Sequence, residues 1–194
     1  GKLLAVGGSS GVYLFDTEKL SALDFIQTNT WARSVAFLSG SNRLAAGLFD
    51  DTIKLWRLPE VQPIQTLAGH QGWVRSISVS RDGSLIASAS DDDTVRVWKT
   101  IDGVSVLILD KDTDGVRAVA LSPDGQFVAA ALEDTTVRVW RVVNGALLYT
   151  LAGHEGWVRC LAFSPDGALL ASGSFDKTVR LWGVSDGKLL HTLE

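Results

Sequence analysis

Residues 65–100 read QTLAGHQGWVRSISVSRDGSLIASASDDDTVRVWKT. Apolar and polar residues alternate in three short runs, Trp73 to Ser80, Leu85 to Ser90 and Thr94 to Lys99. Each run ends at turn-forming residues: Arg81-Asp82-Gly83, then Asp91 to Asp93, then Asp102-Gly103. A fourth run, Val104 to Leu109, follows. The 3.6-residue period of an amphipathic helix never sets in, so the segment is predicted to be all β, with four antiparallel strands.

The pattern recurs along the chain. Trp56, Trp98, Trp140 and Trp182 are each 42 residues apart, and Trp31, Trp73 and Trp157 keep the same rhythm, with Gly115 where a fourth tryptophan is due. A fixed period in the range of about 20 to 50 residues marks a solenoid, a propeller or an array. One four-stranded sheet of this size cannot bury both faces alone, so neighbouring copies must stack, and stacked twisted sheets are the blades of a β-propeller. The first strands fit this. Trp31, Arg33, Val35 and Phe37 alternate with Ala32, Ser34 and Ala36, and Trp157, Arg159, Leu161 and Phe163 with Val158, Cys160 and Ala162, placing large residues on one face and small ones on the other. Cys160 falls on the small face and is expected to be a buried small hydrophobe rather than a reactive thiol.

Composition narrows the classes. Hydrophobic residues are 46% and charged residues 21% of the 194, ordinary globular usage that excludes a disordered segment. No apolar stretch approaches the roughly 20 residues needed to cross a bilayer, and residues 1–10 hold no basic segment leading into an apolar one, so no membrane association is expected. The single cysteine excludes an internal disulfide framework or a multi-thiolate metal site and favours a cytoplasmic setting. The net charge of −4 argues against a general polyanion binder.

The chain resembles the WD-repeat β-propellers over essentially its whole length. The matching segments are LAGH at 67–70 and 151–154, SPDG at 122–125 and 164–167, and DKTVRLW at 176–182. The resemblance implies a buried hydrogen-bond relay of His, Ser, Asp and Trp, which two units match in full: His70, Ser88, Asp92, Trp98 and His154, Ser172, Asp176, Trp182. The other two full units keep Asp50 with Trp56 and Asp134 with Trp140, but hold Ala46 and Ala130 at the Ser position and Thr28 and Asp112 at the His position. The acid of the WD dipeptide is replaced by Arg57, Lys99, Arg141 and Gly183.

Eleven of the 18 Lys and Arg fall at three repeated positions. Lys54, Arg96, Arg138 and Arg180, two residues before the strand tryptophan, are read as stems or guanidinium groups lying over apolar surface and indole. Another four, Arg33, Arg75, Arg117 and Arg159, begin the innermost strands, where a propeller opens on one rim. The resemblance implies that partners dock on this rim, at Trp31, Arg33, Phe49; Trp73, Arg75, Asp91; Gly115, Arg117, Glu133; and Trp157, Arg159, Phe175. Trp and Arg are the enriched residues of interface hot spots. The expected function is a non-catalytic scaffold binding a protein or peptide, acidic or phosphorylated and with an apolar anchor. Two alternatives stay open: a hydrolase using Asp91 and Glu133 at the channel mouth, and a phosphate or nucleic-acid platform on the arginines, which the net negative charge disfavours. No cofactor or metal is expected, and the Asp91–Asp93 run is read as a turn.

About 4.6 periods fit the length. Lys2 to Gly8, Val12 to Asp16 and Ala22 to Thr28 match the second, third and fourth strands of a unit, so the expectation is a partial blade (1–28) and four complete blades (29–69, 70–111, 112–153, 154–194), together 19 strands. Since exposed strand edges are avoided, this reads as part of a larger ring, about 100 residues short of the seven blades usual in the family, or as chains that join to close the circle.

Overall fold

The computed structural model describes residues 2–39, 42–109 and 115–194. Among them nineteen strands build five antiparallel sheets, with no helix. The first blade holds β1 (Leu3–Gly7), β2 (Gly11–Asp16) and β3 (Ser21–Gln27). The second holds β4 (Ala32–Leu38), β5 (Arg43–Leu48), β6 (Ile53–Arg57) and β7 (Gln62–Leu67). In the third are β8 (Val74–Val79), β9 (Leu85–Ser90), β10 (Val95–Lys99) and β11 (Ser105–Leu109). The fourth comprises β12 (Val116–Leu121), β13 (Phe127–Leu132), β14 (Val137–Arg141) and β15 (Leu147–Leu151). The fifth comprises β16 (Val158–Phe163), β17 (Leu169–Ser174), β18 (Val179–Gly183) and β19 (Leu189–Leu193). Strands pair in chain order within every sheet, and the five sheets form an arc of a propeller rather than a closed ring.

Repeated side-chain chemistry makes the hairpins. In the turn after each of β8, β12 and β16, a serine hydroxyl (Ser80, Ser122, Ser164) donates to the aspartate two residues on, and that carboxylate accepts the backbone N–H of Ser84, Gln126 or Ala168. Gly83, Gly125 and Gly167 close these turns at φ 69°, 70° and 75°, a region costly for any residue with a Cβ. The next turn is an Asp-x-Thr knot: the Thr94 N–H and hydroxyl both donate to Asp92 Oδ1, at 3.0 and 2.7 Å, and Thr52, Thr136 and Thr178 repeat the bonds.

Hydrophobic burial sits between blades, not within them. Val12, Leu14 and Ile26 pack on Leu44, Leu48 and Trp56; Ile53, Leu55 and Leu67 on Val74, Ile86 and Trp98; Val95, Val97 and Leu109 on Val128, Leu132 and Trp140; Val137, Val139 and Leu151 on Val158, Leu170 and Trp182. The four period-42 tryptophans are thus the repeated core residues, each at most 5% exposed. Each fully buried side chain of this kind contributes roughly 1.5–3 kcal/mol, so stacking, not the hydrogen-bond ladder alone, holds the arc together. Small residues permit the approach: a Cβ on Gly47 would lie 2.6 Å from Val74 Cγ1.

The strict two-residue alternation expected in the innermost strands is broken. Pairing of β4 with β5 slips between Ala32 and Ser34, and the same slip occurs at Val74/Ser76, Val116/Ala118 and Val158/Cys160. Arg33, Arg75, Arg117 and Arg159 are the extra residues of four equivalent β-bulges. Side-chain parity therefore flips at each arginine. Ala32 and Val35 pack against the first blade, whereas Ala36 and Leu38 pack against the third, and the Ile77 N–H donates to Ser34 Oγ at 3.1 Å.

Cys160 departs from its expected burial. It is exposed, 4.0 Å from the Gly173 carbonyl oxygen. Its counterparts Ser34, Ser76 and Ala118 lie on the face turned to the following blade, and in the fifth blade that face, with Ala162, is open to solvent.

Candidate functional site

The relay residues meet in the blade interior. The Trp98 indole N–H donates to Ser88 Oγ at 2.8 Å; Ser88 Oγ lies 2.7 Å from His70 Nε2, and His70 Nδ1 lies 2.9 Å from Asp92 Oδ2. The indole can only donate and the serine has one hydrogen, so this set of partners assigns the serine O–H to Nε2 and the imidazole hydrogen to Nδ1, facing Asp92. Trp182, Ser172, His154 and Asp176 repeat the chain at 2.8, 2.8 and 2.6 Å. Burial pushes the Asp92 and Asp176 carboxyls up, but the bonds from histidine, threonine and a backbone N–H outweigh it and hold both well below the usual carboxylate range.

Serine, histidine and aspartate in this order have the connectivity of a hydrolytic triad. Access decides otherwise: Ser88 is 0% exposed and Ser172 1%, and each oxygen already accepts an indole N–H. The relay clamps loop, strands and turn together.

All four complete blades keep the aspartate because its two oxygens do separate work. Oδ1 organises the threonine turn; Oδ2 takes the histidine in the third and fifth blades. In the second blade Lys54 Nζ takes that oxygen at 2.9 Å, and in the fourth Arg138 Nη2 does at 3.3 Å. The expectation that the Lys54 and Arg138 series only covers apolar surface is corrected for these two. Arg96 does lie over an indole, 5.8 Å from the Trp98 ring. Thr28, at one histidine position, is buried and donates its hydroxyl to the Thr30 carbonyl oxygen at 2.6 Å; Asp112, at the other, lies outside the described residues.

The bulges aim the arginines at the rim, and the neighbouring residues divide it into aromatic and ionic stretches. Trp31, Phe49 and Trp73 form a contiguous cluster: Phe49 stacks on Trp73 at 4.3 Å and 7° and meets Trp31 at 5.4 Å. Trp31 is 51% and Trp73 45% exposed. Trp157 and Phe175 sit 6.1 Å apart, with Arg159 5.0 Å from the Phe175 ring and Arg117 5.9 Å from Trp157. Between these aromatic groups runs an ionic ladder. Arg75 grips both oxygens of Asp91, at 2.7 and 2.6 Å, Arg117 Nη1 reaches the same carboxylate at 3.5 Å, and Arg117 also pairs with Glu133. Gly115 makes room for this pair, since a Cβ there would lie 2.8 Å from Glu133 Oε2. Asp91 and Glu133, the carboxylates considered for hydrolysis, are both engaged by guanidinium groups. The Asp91–Asp93 run disperses: Asp91 to Arg75, Asp92 to the relay, Asp93 to the turn at φ 61°.

Arg81 was not singled out by its sequence position. It replaces the proline of the SPDG turns, Pro123 and Pro165, and that departure is the signal that could have found it. Its guanidinium donates to the Pro165 carbonyl oxygen two blades away, across the end of the channel opposite the rim.

The chain belongs to the WD-repeat family. The family model described as WD domain, G-beta repeat, matches residues 21–57, 61–99, 103–141 and 145–183. Each match spans the outermost strand of one blade and the three inner strands of the next, so every repeat ties two blades covalently. A comparison with curated proteins gives no match. WD repeats typically act as non-catalytic scaffolds for protein–protein contacts. No helix among the described residues is long and apolar enough to cross a membrane, and none of their His, Cys, Asp and Glu side chains form a group of three suited to a metal ion.

Proposed function

We propose that this chain is a non-catalytic interaction module, acting in the cytoplasm, whose rim binds an extended segment of a partner protein. An apolar anchor of the partner lies on the tryptophans, and an acidic or phosphorylated group meets the arginines. The observation that carries this reading is the exposed Trp31–Phe49–Trp73 cluster, with Arg75 5.1 Å from the Trp73 ring and 5.5 Å from the Phe49 ring, together with Arg33 on β4, a guanidinium with no carboxylate partner among the described residues. Aromatic residues and arginine supply most interface energy, and extended acidic motifs are read by arginine clusters.

A displayed library of random peptides, with and without enzymatic phosphorylation, tests it. Wild type should enrich sequences combining an aromatic or aliphatic residue with an acid or phosphoserine. The Trp73→Ala, Arg33→Glu double variant should lose at least about tenfold in capture, the effect of removing one or two hot spots. Equal enrichment on both proteins would reject the rim as the binding face.

A further inference from the structure

The geometry points to the channel beneath the rim as a binding site for a compact small molecule carrying several phosphate groups, with Arg33, Arg75, Arg117 and Arg159 as its anion ligands. β4, β8, β12 and β16 border a cavity of about 650 Å³. Among the described residues five arginines line it, these four at the rim end and Arg81 at the other, and no aspartate or glutamate does. Asp91 and Glu133 pair with Arg75 and Arg117 at the rim without bordering the cavity, so the net positive charge of the channel wall comes from Arg33, Arg81 and Arg159. Arg33 and Arg159 have no carboxylate partner among the described residues.

Spacing selects the ligand. Arg75 Nε and Arg117 Nη1 both reach Asp91 Oδ1, so the guanidinium groups of adjacent blades come within about 6 Å of each other, a spacing that neighbouring phosphates on one molecule can match from the channel side. One guanidinium per blade at one height asks for several anionic groups on one molecule, and each guanidinium fork suits a phosphate better than a point charge. A phosphate monoester brings close to two charges and three acceptor oxygens, whereas a carboxylate only repeats what Asp91 and Glu133 already offer. The cavity volume falls within the usual range of small-molecule sites, about 300–1,000 Å³. Arg81, about 20 Å along β8 from Arg75, keeps the far end cationic without touching a ligand at the rim end. This inference does not depend on peptide binding to the rim.

Isothermal titration of the whole chain at low salt, with inositol hexakisphosphate and tripolyphosphate as probes, tests the site. Saturable one-to-one binding is expected, weakened about a hundredfold in Arg33→Gln, Arg159→Gln, which removes two exposed charges without a carboxylate partner among the described residues at about tenfold each. Trp31→Ala, which removes a rim aromatic packed on Phe49, should leave probe affinity unchanged, so failure at the rim and failure in the channel are separable. Wild type alone provides a second reading: citrate should bind at least tenfold more weakly than tripolyphosphate. Absence of saturable binding, equal affinity for citrate, tighter binding of a single-stranded oligonucleotide, or an unaffected double variant would each overturn the assignment.

Discussion

Replacing His70 with alanine tests whether the relay holds a blade together. The side chain is 1% exposed and bonds two buried partners, so its loss leaves the Ser88 hydroxyl without its acceptor, deprives Asp92 Oδ2 of one donor and opens a void. A buried polar group left short of a partner costs roughly 1–3 kcal/mol, and the void adds to that, so about 3–5 kcal/mol is expected in all. At this chain length that corresponds to a fall of roughly 10 °C in Tm. His191, exposed on β19, is the control, and its alanine variant should stay within about 0.5 kcal/mol of wild type. Because a chain of repeats can open in parts, the assay is peptide-resolved hydrogen exchange alongside urea unfolding. Protection should fall in β9 and β10 while β17 and β18, with their own intact relay, keep theirs. Ser88→Ala breaks the same chain of bonds, so His70→Ala, Ser88→Ala should cost clearly less than the sum of the single variants. Equal destabilisation by the His70 and His191 variants, or an exchange increase spread evenly over both blades, would refute the relay as the blade's clamp.

Two further outcomes follow from the same contacts. Asp92 and Asp176 titrate lower in the folded than in the unfolded chain, so their stabilisation is complete above the unfolded carboxyl pKa of about 3.9 and is lost as pH falls through and below it. The urea midpoint should therefore drop between pH 5 and pH 3, and less steeply in Asp92→Asn; a midpoint independent of pH contradicts this. Gly72→Ala would set a Cβ 2.7 Å from the Asp92 backbone nitrogen and 2.8 Å from the Asp91 carbonyl carbon. A loss of about 1–3 kcal/mol is expected from the forced backbone shift, together with loosening of the Arg75–Asp91 pair, read from the arginine Nε resonance in NMR.

Much of the fold was legible because the period forces it. A tryptophan every 42 residues needs an equivalent buried place in every copy, and only stacked sheets provide one, so the strand inventory and the blade count could be read from spacing. The facing of side chains was less legible. A bulge adds a residue without marking the sequence, and Val74 with Ile77, three apart, share one side where strict alternation separates them. Cys160 illustrates a second limit: its small neighbours foretold the packing face, but burial depends on what lies against that face. The partner switch at the aspartate was also hidden. Nothing in Asp50 or Lys54 alone says that the lysine substitutes for a histidine; it follows only once Thr28 and Ala46 are seen to leave the second oxygen unclaimed. Trp31, Arg33 and Phe49 and their counterparts share repeat positions in the sequence, whereas their division into aromatic clusters and an ionic ladder needed the contacts across blade junctions.

Because each repeat carries the outer strand of one blade and the inner three of the next, the unit of inheritance and the unit of architecture are out of phase. Duplicating any 42-residue stretch, wherever it starts, splices in a complete set of blade faces and turns, and removing one rejoins compatible neighbours. A gain or loss of any other length would shift tryptophans, turns and bulges against one another. For such a chain, growth comes in steps of one blade, and the rim gains or loses one tryptophan–arginine position with each step.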